Sequence, residues 1–191
     1  DEAFSFLYAE NLSVLQDHGD IVYFSPMEDR SLPQADLLYL AGGYPELYAG
    51  RLAANRDMRK AIAAYCAAGR AAYAECGGMM YLGESLMTAD GTPHPMCGVL
   101  DLDTTMQGAR LTLGYRKVRL EGPYPDELRG HEFHYSRIGR QGELRNIASV
   151  SDARDERCST GVFRAGNTVA SYIHLYWGET RGFPEFLMER R

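Results

Sequence analysis

No stretch of this 191-residue sequence approaches the roughly 18 apolar residues needed to cross a bilayer, and no basic segment precedes a short apolar one as a secretory leader requires. A membrane partner is therefore not expected, and the chain reads as cytoplasmic. Its four Cys, at 66, 76, 97 and 158, form no CxxC pair, so neither a thioredoxin-type dithiol nor a structural zinc site is encoded. Cys66, Cys97 and Cys158 are expected as buried or half-buried thiols of a reducing compartment. Cationic clusters are missing too. The 20 Lys and Arg are outnumbered by 26 Asp and Glu, giving a net charge of −6, and they are scattered, which argues against nucleic acid. No G-x-x-x-x-G-K-[ST] phosphate loop occurs, nor any internal repeat or low-complexity tract. An initiating Met is absent as well. The opening DEAFSFLY reads like the middle of a longer protein, and residues 1–191 are expected to be one domain excised from it.

What is present suits a globular enzyme, with 45% hydrophobic and 24% charged residues. Short apolar runs at 3–7, 21–24, 37–41 and 71–75 are expected strands. Helical stripes at 8–18, 55–68 and 77–86 lie between or after them. LLYLA is a continuous apolar run, as expected of a strand covered on both faces, and AAYAE is expected as another buried strand. This is the rhythm of a doubly wound, mainly parallel α/β sheet. From about residue 95 the pattern changes to strand-like runs separated by Gly, Pro and Asp, expected as antiparallel additions to that sheet. A short helix is expected at 183–190.

The chemistry concentrates on AAYAE-Cys76-GGMMYLG. A strand-to-helix turn lifts its middle residue above the carboxyl edge of the sheet, beside the free N–H groups of the next helix. That position is expected to favour thiolate over thiol. Gly77 and Gly78 tolerate the bend and leave room for a substrate, and the Gly77 N–H can face an oxyanion. AGGYPE at 41–46 places Gly42 and Gly43 after a neighbouring buried strand, where α/β sheets bind ligands. A cysteine nucleophile needs an imidazole within reach, and His174 in SYIHLYW ends a late strand. His18 and His94 read as solvated bystanders. His131, Glu132 and His134 do not all face one way on a strand, so no metal site is expected there.

The segments DEAFSFLY, FSP, AGGYPELYAGRLAAN, YAECGGMMYLG, LGYR, GHEFHYSR and SYIHLYW follow in this order from residue 1 to residue 177. Together they resemble the C-terminal glutaminase domain of the cobyrinic and hydrogenobyrinic acid a,c-diamide synthases. The resemblance implies a flavodoxin-like, class I glutamine amidotransferase-like sheet with added antiparallel strands in the C-terminal half. It places the nucleophile on Cys76 and the base on His174. It places oxyanion and substrate-holding groups on Gly42, Gly43, Gly77 and Gly78, with His134, Tyr135 and Ser136 of the HEFHYS segment beside them. It further implies L-glutamine as substrate, no cofactor in this domain, and ammonia passed to an N-terminal ATP-binding domain that uses ATP and Mg²⁺. Amidation of another tetrapyrrole, such as nickel-sirohydrochlorin, and a non-glutaminase cysteine hydrolase on the same fold remain open. The sequence departs from ordinary triad glutaminases at one place: Tyr176 stands where a Glu would follow the base. Neither Glu132 nor Glu179 has the spacing to replace it.

Overall fold

Alternate residues of the buried runs face opposite layers, and this decides the architecture. In the computed structural model, which describes residues 1–122 and 127–189, Leu38, Leu40, Ala72 and Ala74 join one apolar cluster. Leu37, Tyr39 and Tyr73 belong to a second cluster on the other side. A strand apolar on both faces is stable only between two layers.

After a 3-10 turn at Glu2–Phe4 come α1 (Ala9–His18), β1 (Leu37–Leu40), a second 3-10 turn at Pro45–Leu47, α2 (Ala49–Ala54) and α3 (Arg56–Ala67). Next, β2 (Ala71–Glu75) runs into α4 (Gly77–Leu82). Strands then dominate: β3 (Ser85–Met87), β4 (Pro93–Pro95), β5 (Leu102–Thr105), β6 (Thr112–Leu120), β7 (Glu127–His134) and β8 (Arg137–Gln141). They continue as β9 (Arg145–Asn146), β10 (Ala148–Ser151), β11 (Val162–Ala165), β12 (Thr168–Ser171) and β13 (His174–Tyr176), before α5 (Phe183–Met188). Residue 190, included in the expected terminal helix, lies outside the described residues.

The core sheet has the order β1-β2-β12-β11-β9. Its first three strands are parallel, and β11 and β9 add antiparallel edges. Two further sheets, β10-β6-β7-β13 and β4-β3-β5-β8, hold the antiparallel additions. Helix α3 buries Met58, Ile62 and Tyr65, and Asn55 caps it by accepting from the Met58 N–H at 3.3 Å. No helix among the described residues is long and apolar enough to cross a membrane.

Three expectations need correction. Residues 3–7 form no strand. Ala3 and Phe4 are buried in a 3-10 turn capped by the Asp1 carboxylate, and Phe6 makes one antiparallel bridge with Gly42. The 21–24 segment is also irregular, with Val22 and Tyr23 exposed. A groove of about 490 Å³ opens between it and β1, and Cys76 does not line it. Finally, the helix expected over 77–86 stops at Leu82. Gly83 takes an extended conformation there, and Leu86 is buried within β3, between β4 and β5.

The run TVASYIHLYW is divided between two sheets. β12 lies parallel to β2, with Ser171 opposite Glu75. After Tyr172 and Ile173 the chain crosses over, and β13 pairs with β7, placing His174 opposite His131. The crossing is fixed by Ser171, whose hydroxyl donates to the Gly161 carbonyl at 2.8 Å and accepts from the Ile173 N–H at 3.1 Å. The imidazole is thereby delivered beside the end of β2.

Candidate active site

Cys76 directly follows β2 and precedes the first turn of α4 with φ 46° and ψ −105°. A residue with a side chain adopts this positive φ at a cost of about 1–3 kcal/mol, and such strain collects at functional sites. The backbone is clamped there. The Cys76 N–H donates to the Ser171 carbonyl at 2.8 Å, and its own carbonyl accepts from the Met80 N–H at 3.0 Å. The thiol donates to the Phe133 carbonyl at 3.9 Å. The N–H groups of Gly77 and Gly43 point at the sulfur from opposite elements, an arrangement that can hold an oxyanion.

The four glycines have different tasks. The Gly42 N–H is committed to the Phe6 carbonyl at 3.0 Å, so the donors beside the thiol are Gly43 and Gly77. Gly42 instead makes room, since a Cβ there would overlap the His174 ring. A Cβ on Gly78 would strike the Leu40 carbonyl, so this glycine lets α4 pack onto β1.

His174 is buried. The edge of Phe6 meets its ring at 4.6 Å, and the His131 ring stacks on it at 4.9 Å and 15°. His131 is held in turn by the Tyr8 hydroxyl, 2.6 Å from its Nδ1. No hydrogen bond links Cys76 and His174; the thiol faces Phe133 instead. Catalytic contacts are commonly loose without substrate.

A small cavity beside Cys76 is lined by Gly43, Tyr44, Glu46, Phe133, His134, Tyr135 and Ser136. His134 is fixed within it. Its Nδ1 lies 2.8 Å from the Ser136 carbonyl and its Nε2 3.3 Å from Glu132, and Tyr172 stacks on its face at 3.9 Å. Glu132 also binds Arg116 at 2.5 Å and Thr160 at 2.8 Å. Burial alone would raise this carboxyl, but the bonds from His134 and Thr160 and the Arg116 charge hold it below its usual range. Among the described residues no group of three or more His, Cys, Asp or Glu is placed to hold a metal ion.

Residues 1–182 match the CobB/CobQ-like glutamine amidotransferase domain. The chain belongs to this family. It is 43% identical to the cobyrinate a,c-diamide synthase of Syntrophotalea carbinolica, over 97% of this chain and 44% of that protein. It is also 43% identical to the hydrogenobyrinate a,c-diamide synthase of Brucella anthropi, over 92% of this chain and 41% of that one. The chain thus spans about two-fifths of the length of these relatives. A solved glutamine amidotransferase superposes with a TM-score of 0.63 at 18% identity, covering 94% of this chain and 90% of its own. At that identity the likeness speaks for the fold, a class I glutamine amidotransferase-like α/β sheet.

For a glutamine amidotransferase domain the protonation states are informative. Burial pushes the Cys76 thiol up to about 12, against the opposing N–H groups of Gly77 and Gly43. The expected resting thiolate is therefore corrected. The six-residue α4 does not offset desolvation, and the resting group is a neutral thiol. Burial likewise drives His174 down to about 3, with His131 and His134 adding to the fall. Its imidazole is neutral at pH 7. Two groups near this site were not singled out from the sequence. Glu46 follows the glycine turn in GGYPE, and a carboxylate three residues after the second glycine of such a turn is a readable signal. Glu75 was absorbed into a buried apolar run.

Proposed function

We propose that this domain hydrolyses L-glutamine, with Cys76 as nucleophile and His174 as general base. The observation that carries this reading is the strained Cys76 elbow with the Gly43 and Gly77 N–H groups aimed at its sulfur. On substrate binding His174 takes the thiol proton and the thiolate attacks the side-chain amide carbon. The oxyanion is held by the two N–H groups. His174 returns the proton to nitrogen, the C–N bond breaks, and ammonia leaves a glutamyl thioester. Water, activated by the same imidazole, then releases glutamate and restores the thiol.

The α-groups of glutamine need partners of their own. Glu46 shares the cavity with Cys76 and is suited to the α-ammonium. His134, Tyr135 and Ser136 line the facing wall. A hydrogen bond to a charged group contributes about 1.5–3 kcal/mol, so Glu46→Gln should raise KM for glutamine roughly 10- to 100-fold. kcat should change by less than about threefold, since the ammonium takes no part in the bond changes. Steady-state ammonia release checks this, and an unchanged KM would remove Glu46 from substrate binding.

The ammonia is proposed to feed a,c-diamidation of cobyrinic or hydrogenobyrinic acid in cobalamin biosynthesis, in the cytoplasm. This acceptor class is supported by the names of the 43%-identical relatives. ATP and Mg²⁺ would act in an ATP-binding synthetase domain of the longer protein. Exposed Tyr44, Leu47 and Tyr135 near the cavity, with Leu113 and Tyr115 on β6, suit a face that docks on such a domain. The test is equimolar ammonia and glutamate from L-glutamine, measured with and without that polypeptide and its macrocyclic acid. Release in neither condition overturns the reading.

A further inference from the structure

Glu75 ends β2 beside Cys76, is fully buried, and has no part in the chemistry assigned to Cys76 and His174. One carboxylate oxygen, Oε1, accepts from the Tyr73 hydroxyl at 2.7 Å and from the Leu175 N–H at 2.8 Å. The other, Oε2, accepts from the Tyr39 hydroxyl at 2.7 Å and stands 4.0 Å from His174 Nδ1. That ring nitrogen is sealed from solvent and has no hydrogen-bond partner. A buried polar atom without a partner is uncommon and calls for an explanation. Here the unsatisfied atom is one ring nitrogen of the proposed base, and a carboxylate oxygen faces it just beyond hydrogen-bond range.

The other candidates for this task are occupied. Tyr176, two residues after the base, meets the Tyr8 ring edge-on at 5.5 Å. Glu132 is bound by Arg116, His134 and Thr160. Glu179 is exposed and 3.5 Å from Arg129. His131 lies over the face of the His174 ring, where it cannot bond to either nitrogen. Glu75 also holds the strand that carries the base, through the Leu175 N–H. The same carboxylate therefore fixes the height of β13 and faces the inner edge of its imidazole.

We infer that Glu75 is the positioning residue of His174, accepting a hydrogen bond from Nδ1–H so that Nε2 serves Cys76, and steadying the imidazolium when the thiol proton is transferred. The inference rests on the glutaminase reading. It places the acid of the triad on the nucleophile's strand, one residue before the nucleophile, where ordinary triad glutaminases place it two residues after the base. Burial pushes the Glu75 carboxyl up to about 7, against hydrogen bonds from Tyr73, Tyr39 and Leu175. Its charge is therefore gained close to neutral pH. The titratable groups facing Glu75 are Tyr39 from β1, Tyr73 on its own strand, Cys76, Tyr8 and His174, and His131, Glu132 and His134 from β7 stand around the imidazole.

The decisive experiment joins kinetics on Glu75→Gln and Glu75→Asp with ¹⁵N NMR of the His174 ring in the unmodified chain. The ring should show Nδ1 protonated and Nε2 bare. Glu75→Gln, which keeps the shape but cannot carry charge, should lower kcat for glutamine hydrolysis on the order of 10²- to 10⁴-fold. KM should stay within about threefold, since Glu75 does not touch glutamine. The rise of kcat near pH 7 should disappear in this variant. Glu75→Asp should restore part of kcat and that pH limb. The opposite tautomer in the unmodified chain overturns the inference without any variant. So do an unchanged kcat and pH profile in Glu75→Gln while Cys76→Ala and His174→Ala are inactive. Turnover surviving in Cys76→Ala strikes at the glutaminase reading itself, which separates the two failures.

Discussion

Cys76→Ala should lose glutamine hydrolysis by on the order of 10⁵-fold or more while remaining folded. Removing the nucleophile removes the thioester route, and the remaining machinery has nothing to activate. Nucleophile deletions in comparable hydrolases reach that scale. The structural cost is small. The thiol makes one weak bond, to the Phe133 carbonyl at 3.9 Å, and exchanging buried sulfur for hydrogen costs about 1 kcal/mol. A fall in Tm of roughly 2–4 °C follows for a chain of this size. Ammonia release and a thermal melt check both halves. Wild-type hydrolysis in the variant would remove Cys76 from the mechanism.

The protonation state of the unmodified thiol can be tested on the same chain. With the Cys76 thiol raised to about 12, the thiolate fraction is small at pH 7 and keeps growing as pH rises. The rate of Cys76 alkylation by iodoacetamide, followed by peptide mass spectrometry, should therefore climb through pH 10 without a plateau. A plateau below pH 7 would mean a preformed thiolate–imidazolium pair. His174, lowered to about 3, is neutral over this whole range, so its titration contributes no second step.

The parts of the site that local sequence encodes were readable in advance. A buried strand, a single Cys and two Gly before a helix define an elbow within about ten residues, because strand period and glycine placement are local properties. The segments that misread were governed by partners elsewhere in the chain. AFSFL has strand composition, yet Asp1 caps a 3-10 turn through the Ala3 N–H and also accepts from Ser25 and Met27. GGMMYLGESL has a helical stripe, but Gly83 ends it, and β5 claims Ser85–Met87 as a parallel neighbour. SYIHLYW reads as one strand. Its division between two sheets depends on Ser171 and on the pairing of His174 with His131, neither of which has a sequence period. Glu75 was missed for a related reason. A carboxylate at the end of a buried run carries no signal of a role, and only the fold reveals Tyr39 and Leu175 closing over it beside His174.

Gly42→Ala should also lower turnover strongly, and it tests where the imidazole stands during turnover. A Cβ at Gly42 would overlap His174 Cε1 and approach Nδ1 to 2.8 Å and Nε2 to 3.3 Å. The ring has little room to retreat, with the Phe6 ring nearly perpendicular to it at 4.6 Å and the His131 ring stacked on its face at 4.9 Å. Overpacking of this kind costs about 1–3 kcal/mol of stability, and a base displaced by about 1 Å loses on the order of 10²-fold in rate. The expected result is a kcat lower by about 10²-fold with alkylation of Cys76 unchanged, because the thiol and its Gly43 and Gly77 donors are untouched. Gly50→Ala is the matched control. It lies in α2, where the nearest atom to an added Cβ is His94 Cε1 at 3.9 Å, and Ala in place of Gly in a helix is favoured by about 0.5–1 kcal/mol. That variant should keep full activity and melt slightly higher. If Gly42→Ala also kept full kcat, His174 would have to leave the Gly42 backbone during turnover, and the Nδ1 edge now facing Glu75 would turn with it.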